Sequence, residues 1–212
     1  MRNYFKYLIY TVVMATVCSA ASAGSFEDFF VAIKNDNAGT LNGLLDRGFD
    51  PNTADEKGQP GLTIAMQARS LNAARALLAR PATDVNALNR TGESALMMAA
   101  LKGDLAGVQL LLDRGASVNP SGWSPLHYAA TGPEPKVVQL LLDRGADIDA
   151  GAPNGTTPLM MAAQYGSEDS VALLLGRGAD VKRRSQLDLS AIDFARRAGR
   201  EVLAKRLEQA AR

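Results

Sequence analysis

His127 is the only histidine of this 212-residue chain, and Cys18 is its only cysteine. A single imidazole can act as a general base or as one metal ligand. A Ser–His–Asp triad would have to run through His127, yet no nucleophile motif surrounds any serine. One His and one Cys also fall short of the ligand set of a transition-metal site. Asp46-Arg47, Asp113-Arg114 and Asp143-Arg144 recur as acid–base dipeptides. Charged pairs at the ends of helices are solvated and compatible with the helix dipole, which is the simpler reading of their recurrence. The expectation is no catalysis, no cofactor and no bound metal.

The remaining distinctive side chains suit contact better than reaction. Trp123 is the only tryptophan. Met97-Met98 and Met160-Met161 are doubled, which suits soft filling of a core or an adaptable apolar surface. Lys182-Arg183-Arg184 with Arg196, Arg197 and Arg200 makes a basic end. Residues 24–181 carry a net charge of −6 and residues 182–212 a net charge of +5. Near-neutral charge overall leaves no footprint for nucleic acid.

The elements that position these side chains repeat. Ser94-Ala95-Leu96-Met97-Met98-Ala99-Ala100 returns as Ser124-Pro125-Leu126-His127-Tyr128-Ala129-Ala130 and as Thr157-Pro158-Leu159-Met160-Met161-Ala162-Ala163. The opening position falls at Glu27, Pro60, Ser94, Ser124, Thr157 and Ser190, spaced 33, 34, 30, 33 and 33 residues apart. Ser or Thr caps a helix N-terminus, and Pro125 and Pro158 follow where a missing N–H is harmless. Val138, Leu141 and Leu142 then mark one buried stripe of a second helix. Gly48, Gly115, Gly145 and Gly178 turn the chain past the helix end. Val85-Asn86, Val118-Asn119 and Ile148-Asp149 open an extended finger toward the next unit.

This pattern resembles the ankyrin repeat, with its period near 33 residues, its Thr-Pro-Leu-His core and its turn plus two helices. The resemblance covers nearly all of residues 25–210. It implies an all-α solenoid of helix–turn–helix repeats with short β-hairpin fingers, about six repeats including two caps. Their approximate bounds are 25–55, 56–89, 90–119, 120–152, 153–185 and 186–212. It also implies that His127 is structural, bonding backbone and capping groups between repeats. Departures are visible. Pro60-Gly61-Leu62-Thr63 is a poor cap, and the finger around Asn119–Gly122 is about three residues short. Lys34, Asn35, Asp36 and Asn37 at one end, and Arg196, Arg197, Arg200, Lys205 and Arg206 at the other, are expected to face solvent as polar caps.

The resemblance implies a protein partner bound on the concave face. Trp123 stands where such repeats point toward that face. Arg90, Thr91, Glu93, Leu101 and Lys102 in the third repeat and Asn154, Thr156, Gln164 and Tyr165 in the fifth hold equivalent positions. With Tyr128 they form the expected protein-binding patch, of the aromatic and polar kind used at interfaces.

The first 23 residues differ from the rest. Arg2 and Lys6 precede an apolar stretch over 7–17, and Ala21-Ser22-Ala23 supplies small residues for cleavage before Gly24. This reads as a signal peptide, leaving 24–212 as the repeat domain. Its removal shifts the formal charge from +1 to −1 and takes away Cys18, so no disulfide forms. The expectation is an exported, periplasmic monomer with no stable membrane insertion once the leader is removed. It would hold or stabilise another exported protein, or alternatively neutralise a toxin or enzyme as an immunity-type inhibitor.

Overall fold

The computed structural model describes residues 24–212. The expected leader and Cys18 lie outside the described residues. Helix α1 (24–34) opens a series that continues with α2 (Ala38–Asp46), α3 (Gly61–Ala68), α4 (Leu71–Leu78), α5 (Ala95–Leu101) and α6 (Leu105–Asp113). It closes with α7 (Pro125–Thr131), α8 (Pro135–Asp143), α9 (Pro158–Tyr165), α10 (Glu168–Gly176), α11 (Ala191–Arg197) and α12 (Glu201–Ala210). Successive pairs stack side by side. The first helices α3, α5, α7, α9 and α11 pack in a row, and the second helices α2, α4, α6, α8 and α10 form a parallel row. This is the all-helical solenoid that the repeating sequence implies.

Helices of seven to ten residues are marginal alone, so the stack must hold them. It does so through apolar layers between repeats. Phe29, Ile33, Leu41, Leu77, Leu96, Leu111, Leu126, Leu141 and Leu159 are fully buried, and the Ala pairs 99–100, 129–130 and 162–163 bring neighbouring helices close. Gly166, which ends α9, lies hard against the Ala130 carbonyl of the previous repeat, and Gly132 lies in the same way against that of Ala100.

Four helix starts show one device in three chemical versions. The residue three places after the cap turns back to accept the cap's own N–H. Met97 Sδ accepts from Ser94 N–H and Met160 Sδ from Thr157 N–H, both at 3.4 Å. His127 Nδ1 accepts from Ser124 N–H at 3.1 Å, and Asp193 Oδ2 accepts from Ser190 N–H at 2.8 Å. In the second repeat Pro60 has no N–H to offer, and the equivalent Thr63 hydroxyl is buried without a partner. The weak cap read from the sequence is thus a weak cap in the fold.

The fingers are hairpin turns with little sheet: among the described residues there are two isolated antiparallel bridges, Ala54 with Pro60 and Leu88 with Ser94. One backbone bond of 2.9 Å closes each tip, from Asp55 to Gln59, Asn89 to Glu93, Ala152 to Thr156 and Ser185 to Leu189. The turn residue is left-handed, Gly58, Gly92 or Gly155 at φ near +75°, and Asp188 takes that place in the last finger at φ 56°. The finger before α7 carries no such closing bond among the described residues, in keeping with its missing residues. Asn side chains link successive finger bases: Asn86 Oδ1 accepts from Ser117 N–H at 2.8 Å and Asn119 Oδ1 from Asp147 N–H at 2.9 Å.

Two end residues differ from expectation. Arg200 is not displayed to solvent: its Nη1 donates to the carbonyls of Ala162, Ala163 and Gly166 at 2.9–3.1 Å, closing the C-terminal end of α9. Asp36 also works inward, because its carboxylate accepts from Ala73 N–H at 2.8 Å and so caps α4, whose own Ser70 makes no cap bond. At both helix ends a charged side chain from the adjacent repeat supplies hydrogen bonds beyond those the local residues make. Asp113 and Asp143 of the recurring dipeptides each pair with the arginine at the equivalent helix end of the next repeat, Arg144 at 3.3 Å and Arg177 at 2.9 Å. Such exposed pairs are worth about 0–1 kcal/mol each.

Candidate functional site

His127 is the first residue to place, since any acid–base chemistry would need it. It is buried, and its ring is fully engaged. Nε2 lies 2.9 Å from the Thr156 carbonyl oxygen, which can only accept, so the proton sits on Nε2. Nδ1 accepts from Ser124 N–H and from the Ser124 hydroxyl at 2.8 Å. Burial holds its pKa below the ordinary 6.5, although the Thr156 carbonyl pulls the other way. A neutral imidazole tied on both nitrogens joins repeat four to repeat five. Among the described residues no cluster of three or more His, Cys, Asp or Glu could hold a metal ion.

Trp123 packs edge-on against that imidazole, with ring centroids 5.2 Å apart. The short finger brings it there, immediately before the cap Ser124. Its indole lines two grooves, which also share Met161. The first, about 200 Å³, is lined by Leu101, Trp123, His127, Tyr128, Thr131 and Met161. The second, about 340 Å³, is lined by Trp123, Asn154, Thr156, Met161, Gln164 and Tyr165 together with Leu187, Leu189, Phe194 and Arg197. Both lie on the side of the stack formed by the fingers and the first helices.

The repeat register explains this clustering. The residue before each cap is Glu93, Trp123, Thr156 and Leu189 in turn. Four residues after the cap stand Met98, Tyr128, Met161 and Phe194, and seven after it Leu101, Thr131, Gln164 and Arg197. Adjacent columns of these rows enclose the two grooves. Large apolar groups stay accessible here: Tyr165 is 63% exposed and Leu187 76% exposed.

The residues expected to form one patch divide into three groups. Leu101, Trp123, Tyr128, Asn154, Gln164 and Tyr165 line the grooves, as does the little that Thr156 exposes. Arg90, Thr91 and Glu93 belong to the finger before α5, and Lys102 follows Leu101 at the end of that helix. Glu93 is held by Asn89 Nδ2, by the Thr91 hydroxyl and by the Tyr128 phenol, which donates from the next repeat at 3.1 Å. The Asn89 bond leads in lowering the Glu93 pKa, against its partial burial. Burial, and then the Glu93 charge, pushes the Tyr128 phenol up to about 12. Arg90 lies across Gly58 of the preceding finger. Thr156 departs from the expected surface position: it is 2% exposed, and its carbonyl is committed to His127.

Met161, Thr131, Leu187, Leu189 and Phe194 were not among the expected residues. The doubled methionines split in role, since Met160 is buried at the cap while Met161 lines both grooves. The register signal for Met161 and Phe194 was present, because both are equivalent to Tyr128. The signal for Leu187 was absent, because finger tips share no apolar letter.

No helix among the described residues is long and apolar enough to cross a membrane. A search of curated proteins returned no match. The family model described as Ankyrin repeats (3 copies) matches residues 29–121 and again residues 117–185, the two matches meeting at the shortened finger. With a junctional histidine, capped helix pairs and fingers in the same register, the chain belongs to the ankyrin-repeat family.

Proposed function

We propose that this protein is a non-enzymatic binding module that holds and stabilises another exported protein in the bacterial periplasm. Ankyrin repeats are protein-interaction modules, and that much follows from the family. The observation that carries the site is the pair of grooves that share Trp123 and Met161, lined by aromatic and aliphatic side chains that remain accessible. Apolar anchors in such clefts, ringed by polar groups, are what protein partners use as hot spots. The one histidine is spent on joining repeats, which leaves it no free nitrogen for proton transfer.

Export rests on the sequence of residues 1–23, with cleavage before Gly24. N-terminal sequencing of protein recovered from a periplasmic fraction tests it, and a first residue of Gly24 is expected. For the binding role, the purified protein and a Trp123→Ala/Tyr165→Ala variant are each used as bait in a periplasmic extract. One dominant partner captured by the first and lost by the second, with both still folded and melting cooperatively, supports the proposal. Equal capture by both removes the site. Turnover of a substrate by purified protein removes the non-enzymatic role.

A further inference from the structure

The second groove has an asymmetric rim. Its walls are Trp123, Met161, Tyr165, Leu187, Leu189 and Phe194, and its one charged lining residue is Arg197. Arg197 ends α11, is exposed, and makes no ion pair or hydrogen bond among the described residues. Several other basic residues of this end have partners within the protein. Arg184 pairs with Asp188 at 3.4 Å, and Arg196 pairs with Glu208. Arg206 pairs with Glu168 at 2.5 Å, while Arg200 is used up on the α9 carbonyls. At this groove the basic end contributes one exposed guanidinium, that of Arg197, without a protein partner among the described residues and beside largely apolar walls.

We infer that this groove takes a large apolar side chain of a partner segment whose neighbouring Asp or Glu pairs with Arg197. This rests on the protein-binding reading above. Covering Arg197 with an apolar partner would strip its water and offer nothing in return, whereas a carboxylate restores the lost hydrogen bonds in a planar, two-pronged geometry. The net +5 charge of residues 182–212 also draws an acidic segment toward this end before contact. An apolar residue beside a basic one would meet repulsion at the same place.

Panning a phage-displayed random dodecapeptide library on the purified protein tests the inference. Parallel pannings use Arg197→Glu and Phe194→Ala. Native protein is expected to enrich peptides with Phe, Leu, Trp or Met next to Asp or Glu. Binding of a synthetic copy should change the emission of Trp123, the only tryptophan. Arg197→Glu should turn the preferred neighbour to Lys or Arg, and Phe194→Ala should weaken binding about tenfold or more. Three results overturn the inference: no enrichment, enrichment without acidic preference, or a preference that Arg197→Glu leaves unchanged. If any of these occurs while the periplasmic partner is still captured and lost with Trp123→Ala/Tyr165→Ala, the binding role stands and only this pairing falls.

Discussion

His127 Nε2 donates to the Thr156 carbonyl at 2.9 Å, so one side chain of α7 secures the finger that leads into α9. Met97 and Met160, at the same register, accept a cap N–H as His127 does but have no proton to give onward. The junction between repeats four and five therefore has a hydrogen bond that these methionine junctions lack. It sits under Trp123, which lines both grooves.

Acid should weaken this junction. Burial lowers the folded His127 pKa below 6.5, so the unfolded chain takes up a proton that the folded chain refuses. Stability is then full above about pH 6.5 and declines as the pH falls toward the depressed folded value. Glu93 and Asp193, whose pKa values are lowered from 4.5 and 3.8, lose their contributions only at lower pH. Thermal melting between pH 7.5 and 5 should show a falling midpoint in the native protein. His127→Met, which copies the other repeats, should flatten that fall.

Leu141 is fully buried between repeats at the centre of the stack. Leu141→Ala should cost about 2–5 kcal/mol in urea unfolding, the lost transfer energy plus the cavity it opens. A near-normal midpoint would contradict the repeat register.

Gly166 has an ordinary φ of −82°, so alanine is acceptable to its backbone, but an added Cβ would collide with the Ala130 carbonyl and lie 2.9 Å from Ala162 Cα. Gly166→Ala should destabilise by about 1–3 kcal/mol through overpacking between repeats. At Gly151 nothing lies within 4 Å of such a Cβ. Gly151→Ala should change stability by no more than about 0.5 kcal/mol. Denaturant titration of the two variants side by side checks the contrast.

Trp123 meets His127 edge-on yet opens onto both grooves. Trp123 is only half-buried, so Trp123→Ala should lower stability by about 1–2 kcal/mol, from the apolar area it covers and its edge-on contact. It should weaken the captured partner by about 1 kcal/mol or more in calorimetry. A sharp drop in melting with unchanged affinity would make it a packing residue alone.

The architecture was legible because each repeat writes the same physical instruction: a cap, a small-residue helix face, a Leu stripe, a left-handed turn. The structural role of His127 followed from its place in that instruction. Arg200 and Asp36 were not legible as caps, since each serves a helix of the neighbouring repeat and nothing local marks that. Thr156 was placed at the surface because it shares the register position of Trp123 and Glu93, whereas the stack buries it and uses its carbonyl. Leu187, Leu189 and Phe194 escaped notice because the last repeat departs most from the shared letters, although Phe194 stood in register with Tyr128 all along.

The most direct measurement places a photo-reactive benzoylphenylalanine in place of Tyr165, beside the second groove, or in place of Ala172, exposed on the second helix of the same repeat. Irradiation with the captured partner should give a covalent adduct from position 165 and none from position 172. Adducts from 172 alone would place the partner on the opposite side of the stack and contradict the account.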